Sequence, residues 1–416
     1  MNGRLADDCF ALPPGVDWTP VEVALARLRE GLRPVTGIET VGLSEAAGRV
    51  LAEPVLARRD SPPAANAAVD GYAFAWEAAG AEADLPLAEG RAAAGHPWPG
   101  HLPAGEALRI LTGAELPAGA DTVVLEEDCR LADGRVRFPR PRKPGANRRP
   151  QGEDARHGEP VLAAGRRLRP QDLARAASVG ADRLAVRQRL RVGILSTGDE
   201  LLAPGTDPAQ PGIFDANRPM LAALAAGWGA EVVDLGAAGD DAGAVRAALD
   251  GGAASADVLL TSGGASAGDE DHLSRLLGRE GRRETWRIAV KPGRPLAMGL
   301  WQGRPVFCLP GNPVAAFVCT LIFARPALAV LAGADWPEPL AFTVPAAFAK
   351  RKKRGRREYL RARLDAAGHA EVFASEGSGR VGGLSWSEGL VELPDAGMDI
   401  APGDPVRYLP YAGFGI

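Results

Sequence analysis

Length, composition and charge exclude several classes of protein. The chain has 416 residues, more than one ordinary hydrophobic core accommodates, and its apolar share of 46% is enough to build several cores. A formal net charge of −4 gives no electrostatic reason to expect nucleic acid or a membrane surface as a partner.

The N-terminal sequence, the apolar runs and the cysteines predict a cytoplasmic protein. The opening stretch MNGRLADDCFALPPGVDW does not combine a basic start with an apolar core, so no signal peptide is expected. The longest apolar run, residues 314–324, is broken by Arg325 and Pro326 and is too short to span a bilayer. The cysteines lack paired spacing, which is typical of reduced thiols: Cys9, Cys129, Cys308 and Cys319.

The first part of the chain predicts helices on either side of a β-rich segment. Residues 19–50 show a helical spacing of apolar side chains followed by a short strand. From about residue 54 to 140, short apolar runs are divided by Gly and Pro, which predicts a small β-rich insert with strands at 109–111 and 120–125. A polar connector at 143–154 leads to a helical pattern at 170–180.

The second part predicts an α/β domain followed by a small β domain. Strands and helices alternate between residues 189 and 332, which favours a doubly wound, mainly parallel sheet. The predicted strands are 192–195, 231–235, 257–260, 287–290 and 306–308, and the helices are 218–226, 241–249, 271–277 and one that starts at 314. After residue 335, short strands and Gly turns predict a terminal β domain.

Three of the predicted strands end in Gly-containing loops. The loop residues are Thr197 and Gly198, then Ser262, Gly263 and Gly264, and finally Pro310, Gly311, Asn312 and Pro313. Ligands of an open parallel sheet bind beyond the carboxyl ends of its strands, and Gly lets backbone N–H groups approach a phosphate. Asn312 suits the N-cap and Pro313 the first position of the next helix, whose positive end attracts anions. Together the loops predict one phosphate-binding site.

Carboxylates follow the same strand ends. If Glu200 and Asp271 converge, they form a hard oxygen site that suits Mg²⁺ beside a phosphate. The alternative for Asp241 and Asp271 is helix capping, because each precedes a predicted helix. Three more acids cluster at the strand ends: Asp240, Asp269 and Glu270.

Basic residues offer a second kind of site. Lys291 and Arg294 lie on a Pro-stiffened loop after another predicted strand, where they form either an oxyanion site or two solvated charges on a turn. The run KRKKRGRR at 350–357 favours a solvated β edge over a nucleic-acid site. Taken alone, Asp70 with Gly71 predicts a turn, and residues 148–154 predict a charged linker.

These motifs together resemble the molybdopterin molybdenumtransferase family. The matching segments follow the family's order along most of the chain: residues 69–73 (VDGYA), 109–113 (RILTG), 147–154, 196–201, 262–271, 291–293 (KPG) and 309–313 (LPGNP). Each segment is weak by itself, and the set is specific to that family.

The resemblance implies four domains and an elongated homodimer. Residues 17–54 and 151–188 would form an elongated discontinuous domain, 55–150 an inserted β-rich domain, 189–334 the α/β domain and 335–416 a C-terminal β-barrel. The fold class is therefore α/β plus β. The inserted domain of one subunit would help to complete the site of the other.

The resemblance also implies the reaction and its residues. The family takes adenylylated molybdopterin and molybdate and yields molybdenum cofactor and AMP with Mg²⁺. Glu200 and Asp271 would hold Mg²⁺, and the three Gly loops would hold the phosphates. Lys291, Arg294, Arg361 and Ser378 would hold molybdate. The catalytic positions carried over by motif are Asp70, Thr112, Arg149, Asp154, Asp240 and Lys291.

Two other functions remain open for this sequence. One is a non-catalytic carrier or scaffold for molybdopterin or its cofactor, and the other is a molybdopterin adenylyltransferase, which shares the α/β module and the Ser-Gly-Gly loop. The large flanking domains and the acids Glu200, Asp240 and Asp271 favour the molybdenum-inserting enzyme. Its expected protein partners are the adenylyltransferase and apo-molybdoenzymes.

Overall fold

The computed structural model describes residues 18–264, 272–286, 288–293 and 296–416, with backbone alone for 282–286. The chain divides into two compact units. The first comprises Met1–Glu39, Gly48–Val50 and Arg187–Ile416, and the second comprises Thr40–Ala47 and Leu51–Val186.

The second unit contains a six-stranded sheet in the region predicted to be β-rich. In spatial order its strands are Thr122–Leu125, Gly71–Phe74, Ala107–Ile110, Glu82–Ala92, Arg135–Pro139 and Arg130–Ala132. Glu82–Ala92 pairs in parallel with Ala107–Ile110, and the other neighbours are antiparallel. Phe74 and Phe138 pack within its core with ring centroids 4.8 Å apart.

The rest of this unit consists of short strand pairs and one helix. Two pairs are Val55–Leu56 with Pro160–Leu162 and Asn66–Ala67 with Arg148–Arg149. A third pair, Ile38–Gly42 with Arg183–Arg187, begins and ends in residues assigned to the first unit. The short turns of helix are Leu43–Glu45, Trp76–Ala78 and Glu126–Asp128. The helix Pro170–Ser178 begins with Pro in its first turn, where a missing N–H has no intrahelical partner to lose. Asp172 accepts a hydrogen bond from the backbone N–H of Arg169 over 2.9 Å and so caps the helix start.

The first unit contains the α/β sheet. Its strands, in spatial order, are Glu231–Ala238, Arg191–Thr197, Val258–Ser262, Arg304–Leu309, Leu296–Trp301 and Arg282–Trp286. The first four run in parallel, and the last two are joined as antiparallel strands at one edge. The helices around it are Val21–Gly31, Asn217–Gly227, Ala242–Ser255 and His272–Arg279. Val192, Leu260 and Phe307 are fully buried, as expected for strands covered on both faces.

The prediction that residues 287–290 form a strand of this sheet is wrong. Instead, Val290–Lys291 is a two-residue strand that pairs in parallel with Arg357 and Glu358 of the C-terminal sheet. The two antiparallel strands at 282–286 and 296–301 were not predicted. The apolar run at 287–290 satisfied the local pattern of a buried strand, but its pairing partner lies far along the chain.

The apolar run at 314–324 is the first part of a longer helix, which Arg325 and Pro326 do not interrupt. The helix is continuous in three segments, Pro313–Cys319, a π-helical turn Thr320–Ala324, and Arg325–Leu331. The wider π turn precedes Pro326, whose ring and missing N–H would otherwise disrupt an α-helical interior. Among the described residues, this is the one helix long and apolar enough to cross a membrane, but 83% of its most apolar window is buried inside the protein.

The C-terminal part of the first unit is a small β domain. Its main sheet has the order Val290–Lys291, Arg357–Leu364, Gly389–Leu393, Pro405–Pro410 and Phe342–Pro345, and Ala370–Val372 also pairs with Arg357–Leu364. A bridge between Ala346 and Ala370 brings the two ends of this path together, which is consistent with a small barrel. A separate two-stranded sheet pairs Lys350–Lys352 with Met398–Ile400, and the short helical segments are Gly382–Trp386 and Tyr411–Phe414. Beside the α/β sheet, Leu201–Leu202 pairs with Ile213–Phe214.

Candidate active site

The three predicted phosphate-binding loops lie at one edge of the α/β sheet. They follow the neighbouring parallel strands Arg191–Thr197, Val258–Ser262 and Arg304–Leu309, with Ser196 opposite Ser262 and Ser262 opposite Leu309. The N–H of Gly263 donates to the carbonyl oxygen of Leu309 over 3.1 Å. The carboxyl ends of parallel strands are where such sheets bind their ligands. The sequence therefore placed the loops correctly in relation to the sheet.

Asn217 connects two of these loops. Its Nδ2 donates to Ser262 Oγ over 2.7 Å and to the carbonyl oxygen of Gly311 over 2.6 Å. Asn217 is buried, and its Oδ1 has no hydrogen-bond partner among the residues that the structure describes. Sequence reasoning missed this residue because its partners are distant in the chain. The signal available was a lone Asn at the start of an apolar helix, just after Asp215.

Gly263 is required by the close approach of two strand ends. Its φ is +93°, and a Cβ atom there would lie 2.6 Å from the carbonyl oxygen of Thr197. The hydroxyl of Thr197 in turn donates to the carbonyl oxygen of Ser262 over 3.4 Å. A side chain at position 263 would push the second loop away from Thr197 of the first loop.

Asp199 and Glu200 of the first loop lie on the surface beside Asp240, which follows the strand Glu231–Ala238. The N–H of Asp240 donates to Asp199 Oδ1 over 2.9 Å, and the N–H of Asp199 donates to Asp240 Oδ2 over 3.4 Å. The carboxylate of Glu200 folds back over Gly198, in the space a Cβ atom would occupy. Asp241 caps the helix Ala242–Ser255 by accepting from the N–H of Ala244 over 2.8 Å, as the capping alternative predicted.

These acids suit Mg²⁺ in chemistry. Glu200, Asp199 and Asp240 are exposed carboxylates beside the predicted phosphate-binding loops. Mg²⁺ is commonly held by one or two carboxylates together with water and substrate phosphates. No group of three or more His, Cys, Asp or Glu side chains within the described ranges is arranged as a complete metal site. The predicted ligand Asp271, with Asp269 and Glu270, lies outside the described residues.

The start of the helix at Pro313 differs from the prediction in one respect. Asn312 occupies the N-cap position, but its side chain makes no capping hydrogen bond. Instead, the N–H of Val314 donates to the carbonyl oxygen of Ser378 over 3.0 Å. The predicted residues Pro313 and Ser378 are thus brought together through the backbone.

Lys291 lies in a cluster of two lysines and two glutamates, which we call the lysine–glutamate cluster. Its Nζ is 2.7 Å from Glu376 Oε2 and 3.7 Å from Glu358 Oε2. Lys350 Nζ is 3.3 Å from Glu358 Oε2 and also contacts Glu376 Oε1. The cluster lines a cavity of about 220 Å³, to which Arg361 also contributes. Burial lowers the pKa of Lys350, but hydrogen bonding and charge from Glu376 and Glu358 outweigh it and raise the pKa overall.

Lys350, Glu358 and Glu376 were missed by sequence reasoning. The basic run at 350–357 was recognised, but its first residue lines this cavity rather than a purely solvated edge. The side chain of Glu358 is 9% exposed and lies opposite Lys291 in the paired strands. The available signal was a Glu inside a basic run. Arg294, the other predicted cation of this loop, lies outside the described residues.

Arg361 holds the loop that follows this cavity. Its guanidinium donates to the carbonyl oxygens of Arg380 over 2.6 Å and Gly377 over 3.2 Å, and to that of Ser375. It also lies over the ring of Phe373 at 4.8 Å. Burial lowers the pKa of this side chain. Arg361 therefore positions the segment that carries Ser378.

In the second unit, Asp70 and Thr112 form a direct pair. Asp70 Oδ1 accepts from both the backbone N–H and the hydroxyl of Thr112, each over 2.6 Å. These hydrogen bonds, with the charge of Arg109, hold the pKa of Asp70 below its ordinary value. Arg109 itself stacks over Tyr72 at 5.2 Å and pairs with Glu126.

Arg149 lies near the Asp70 loop, whereas Asp154 belongs to another cluster. Arg149 is paired with Asn66 in a short antiparallel ladder, and the N–H of Ala68 donates to the carbonyl oxygen of Asn147 over 2.9 Å. Asp154 forms an ion pair with Arg175, whose Nη2 also donates to its carbonyl oxygen over 2.8 Å.

Three family models match consecutive parts of the chain. Residues 19–180 match the MoeA N-terminal region (domain I and II), residues 193–330 match a probable molybdopterin binding domain, and residues 343–411 match the MoeA C-terminal region (domain IV). The class of protein is therefore a multidomain one built around a domain of the molybdopterin-binding type.

Similar proteins and structures extend over nearly the whole chain. The molybdopterin molybdenumtransferase of Haemophilus influenzae is 34% identical over 398 residues, which cover 94% of this chain and 98% of the relative. Molybdopterin molybdenumtransferase 2 of Mycobacterium tuberculosis is 36% identical over 406 residues, covering 92% and 96%. The crystal structure of the molybdopterin biosynthesis MoeA protein from Pyrococcus horikoshii OT3 has a TM-score of 0.81 at 29% identity, covering 95% and 100%.

The chain belongs to the MoeA family of molybdopterin molybdenumtransferases. The family predicted from the motifs, and with it the transferase class, is confirmed.

Proposed function

We propose that this protein inserts molybdenum from molybdate into adenylylated molybdopterin, giving molybdenum cofactor and AMP. The observation that carries the proposal is the joining of Ser262 and Gly311 by Asn217, which holds two phosphate-ready loops in one edge of the sheet. Full-length similarity to curated molybdopterin molybdenumtransferases supports the same reaction.

The strand-end loops would bind the phosphates of the adenylylated substrate. Backbone N–H groups at Gly-rich turns and at a helix start are natural phosphate ligands. The residues in this role are Thr197, Gly198, Ser262, Gly263, Gly264, Pro310, Gly311, Asn312 and Pro313. Asn217 would keep two of these loops in register.

Mg²⁺ would be held by Glu200 and Asp271, with Asp240 nearby. When bound, it would offset negative charge on the phosphoanhydride. The protein's own part is to position the carboxylates: Asp240 and Asp199 accept hydrogen bonds from each other's backbone N–H groups, which joins the two loops that carry them.

Molybdate, as substrate, would bind in the cavity lined by Lys291 and Arg361, with Arg294 and Ser378 close by. Lys291 supplies the charge that attracts an oxyanion, while Arg361 fixes the loop that bears Ser378. Cations at this place would also stabilise negative charge that develops as AMP leaves.

The remaining residues and properties are proposals of the same kind. Asp70, Thr112, Arg149 and Asp154 would complete the partner subunit's active site in a homodimer. We also propose the four-domain division at residues 54, 150, 188 and 334, and a cytoplasmic location. The protein would take adenylylated molybdopterin from the adenylyltransferase and pass the finished cofactor to apo-molybdoenzymes.

The test is AMP release from adenylylated molybdopterin with Mg²⁺, with and without molybdate. Release that depends on molybdate, and a product that activates an apo-molybdoenzyme, is the expected result. Lys291→Ala should lose this release and keep its affinity for adenylylated molybdopterin, whereas the exposed Lys353→Ala should keep both. Binding of adenylylated molybdopterin without release of AMP would instead indicate a carrier. Transfer of AMP onto molybdopterin would indicate an adenylyltransferase.

A further inference from the structure

The lysine–glutamate cluster already contains an anion that bridges its two cations. Glu376 contacts Lys291 through Oε2 at 2.7 Å and Lys350 through Oε1. Its two oxygens therefore occupy both ammonium groups at the cavity of about 220 Å³, as two oxygens of a bound oxyanion would. The ammonium groups of both lysines are therefore already paired with a carboxylate of the protein itself.

The two glutamates of the cluster differ in how firmly they are held. Glu358 lies on the strand Arg357–Leu364, and its side chain is 9% exposed. Glu376 lies in a loop, and its side chain is 48% exposed. Rotation of the Glu376 side chain into solvent buries no charge and breaks no backbone pairing. The Glu358 side chain cannot rotate into solvent in the same way, because it is buried.

The charges show what such a rotation would do. With both glutamates in place, the charges of the two lysines are cancelled. When Glu376 leaves, Glu358 remains and the cluster itself has one positive charge in excess, to which Arg361 at the same cavity adds a second. Every incoming anion loses the same Glu376 contacts, but a dianion gains about twice the Coulomb energy of a monoanion from the same lysines. The exchange therefore favours dianions.

We propose that Glu376 is a displaceable internal counter-ion that competes with the oxyanion substrate for Lys291 and Lys350. The identity of that substrate as molybdate rests on the proposed function. The competition itself does not, because it follows from the charges and contacts of the cluster. Glu376 sets the affinity of the cavity for tetrahedral dianions and keeps it closed to monoanions.

The test compares oxyanion affinity in two variants that change the charge equally. Glu376→Gln removes the competing carboxylate, and its dissociation constants for molybdate and for sulfate, measured by equilibrium dialysis on the full chain, should fall roughly three- to tenfold. Glu371→Gln is the matched control. Its side chain is 44% exposed and pairs with Arg363 at 3.0 Å, and it does not line the cavity. Its affinities should equal those of the wild type.

A second variant and a turnover assay distinguish the possible outcomes. Glu376→Ala should tighten binding as Glu376→Gln does, which separates lost competition from a new amide contact. In molybdate-dependent AMP release, Glu376→Gln should lower the KM for molybdate without raising kcat. Unchanged affinity in both Glu376 variants, or an equal gain in Glu371→Gln, would overturn the proposal. If the Glu376 variants bind oxyanions more tightly but the wild type releases no AMP, the counter-ion role of Glu376 would be supported and the proposed reaction rejected.

Discussion

Val314 and Ser378 are joined by a backbone hydrogen bond of 3.0 Å. Val314 lies in the first turn of the long apolar helix, and Ser378 lies in the loop that Arg361 holds through its carbonyl oxygens. One of the free donors of the helix start is therefore used by the protein. This contact connects the Pro-Gly-Asn-Pro loop to the segment that borders the cavity of the lysine–glutamate cluster. A shift of one is therefore transmitted to the other.

Asn217→Ala should destabilise the α/β domain and weaken substrate binding. The substitution removes two hydrogen bonds and leaves the buried Ser262 hydroxyl without this donor, at a cost of about 1–3 kcal/mol in the free energy of unfolding. Urea denaturation and binding of adenylylated molybdopterin would measure the two effects. Asn312→Ala is the control for stability, because the Asn312 side chain makes no capping bond and its loss should change stability by less than about 0.5 kcal/mol. Equal losses in the two variants would contradict the bridging role.

Gly263→Ala should be far more harmful than Gly303→Ala. Both glycines have positive φ, +93° and +79°, so both substitutions carry a backbone cost of about 1–2 kcal/mol. Only at Gly263 would the new Cβ meet a carbonyl oxygen, that of Thr197 at 2.6 Å, while nothing lies within 4 Å at Gly303. We expect loss of binding to adenylylated molybdopterin in the first variant alone, measured by calorimetry. Normal binding by Gly263→Ala would show that the loops need no such close approach.

Thr112→Val should raise the pKa of Asp70 towards its ordinary value. The hydroxyl of Thr112 is the largest cause of the lowered pKa, and its backbone N–H remains in the variant. A lowered pKa means that the carboxylate stabilises the folded state above pH 3.8 and that this contribution is lost as the pH falls through the folded-state pKa. NMR titration of the Asp70 carboxyl carbon would measure the change. An unaltered titration in Thr112→Val would contradict the assignment.

Asp172→Asn should remove an acid-sensitive part of the stability of the second unit. Burial alone would raise the pKa of Asp172, but hydrogen bonds from Arg166 and Arg169 hold it at about 2. Since the ordinary value is 3.8, the carboxylate contributes about 2 kcal/mol above that pH, and this is lost as the pH falls towards 2. Denaturation at pH 5 and near pH 2 should show a smaller pH dependence in the variant. Asp182→Asn, at a side chain that is 72% exposed, should retain the wild-type dependence.

Local pattern was sufficient to predict the centre of the α/β sheet and the loops that follow it. The apolar runs around Val192, Leu260 and Phe307 are continuous, and a buried parallel strand requires that. The Gly loops were recognisable because close backbone approach demands glycine, as at Gly263. Local pattern was insufficient for Val290–Lys291, since its partner strand begins at Arg357 and no periodicity reports which strands pair.

The site residues that were missed share the same cause. Asn217 and Glu376 act through partners from separate elements, and only the fold brings these together. Lys291 was proposed from its motif and Arg361 from the family resemblance, but the contacts of neither residue could be read from the sequence. Lys291 was expected to be a cation awaiting an oxyanion, whereas it is already paired with two carboxylates of the C-terminal domain.

The strand Val290–Lys291 has a consequence for how this protein can be dissected. It precedes the long apolar helix in the chain, yet it completes one side of the strand Arg357–Leu364 in the C-terminal sheet. A fragment that begins after the helix would lack this strand and would expose the backbone donors and acceptors of Arg357 and Glu358, an open edge of the kind that recruits other chains. Truncation at the boundary between the α/β and C-terminal segments would thus yield an aggregation-prone fragment. The two segments are best regarded as one cooperative folding unit.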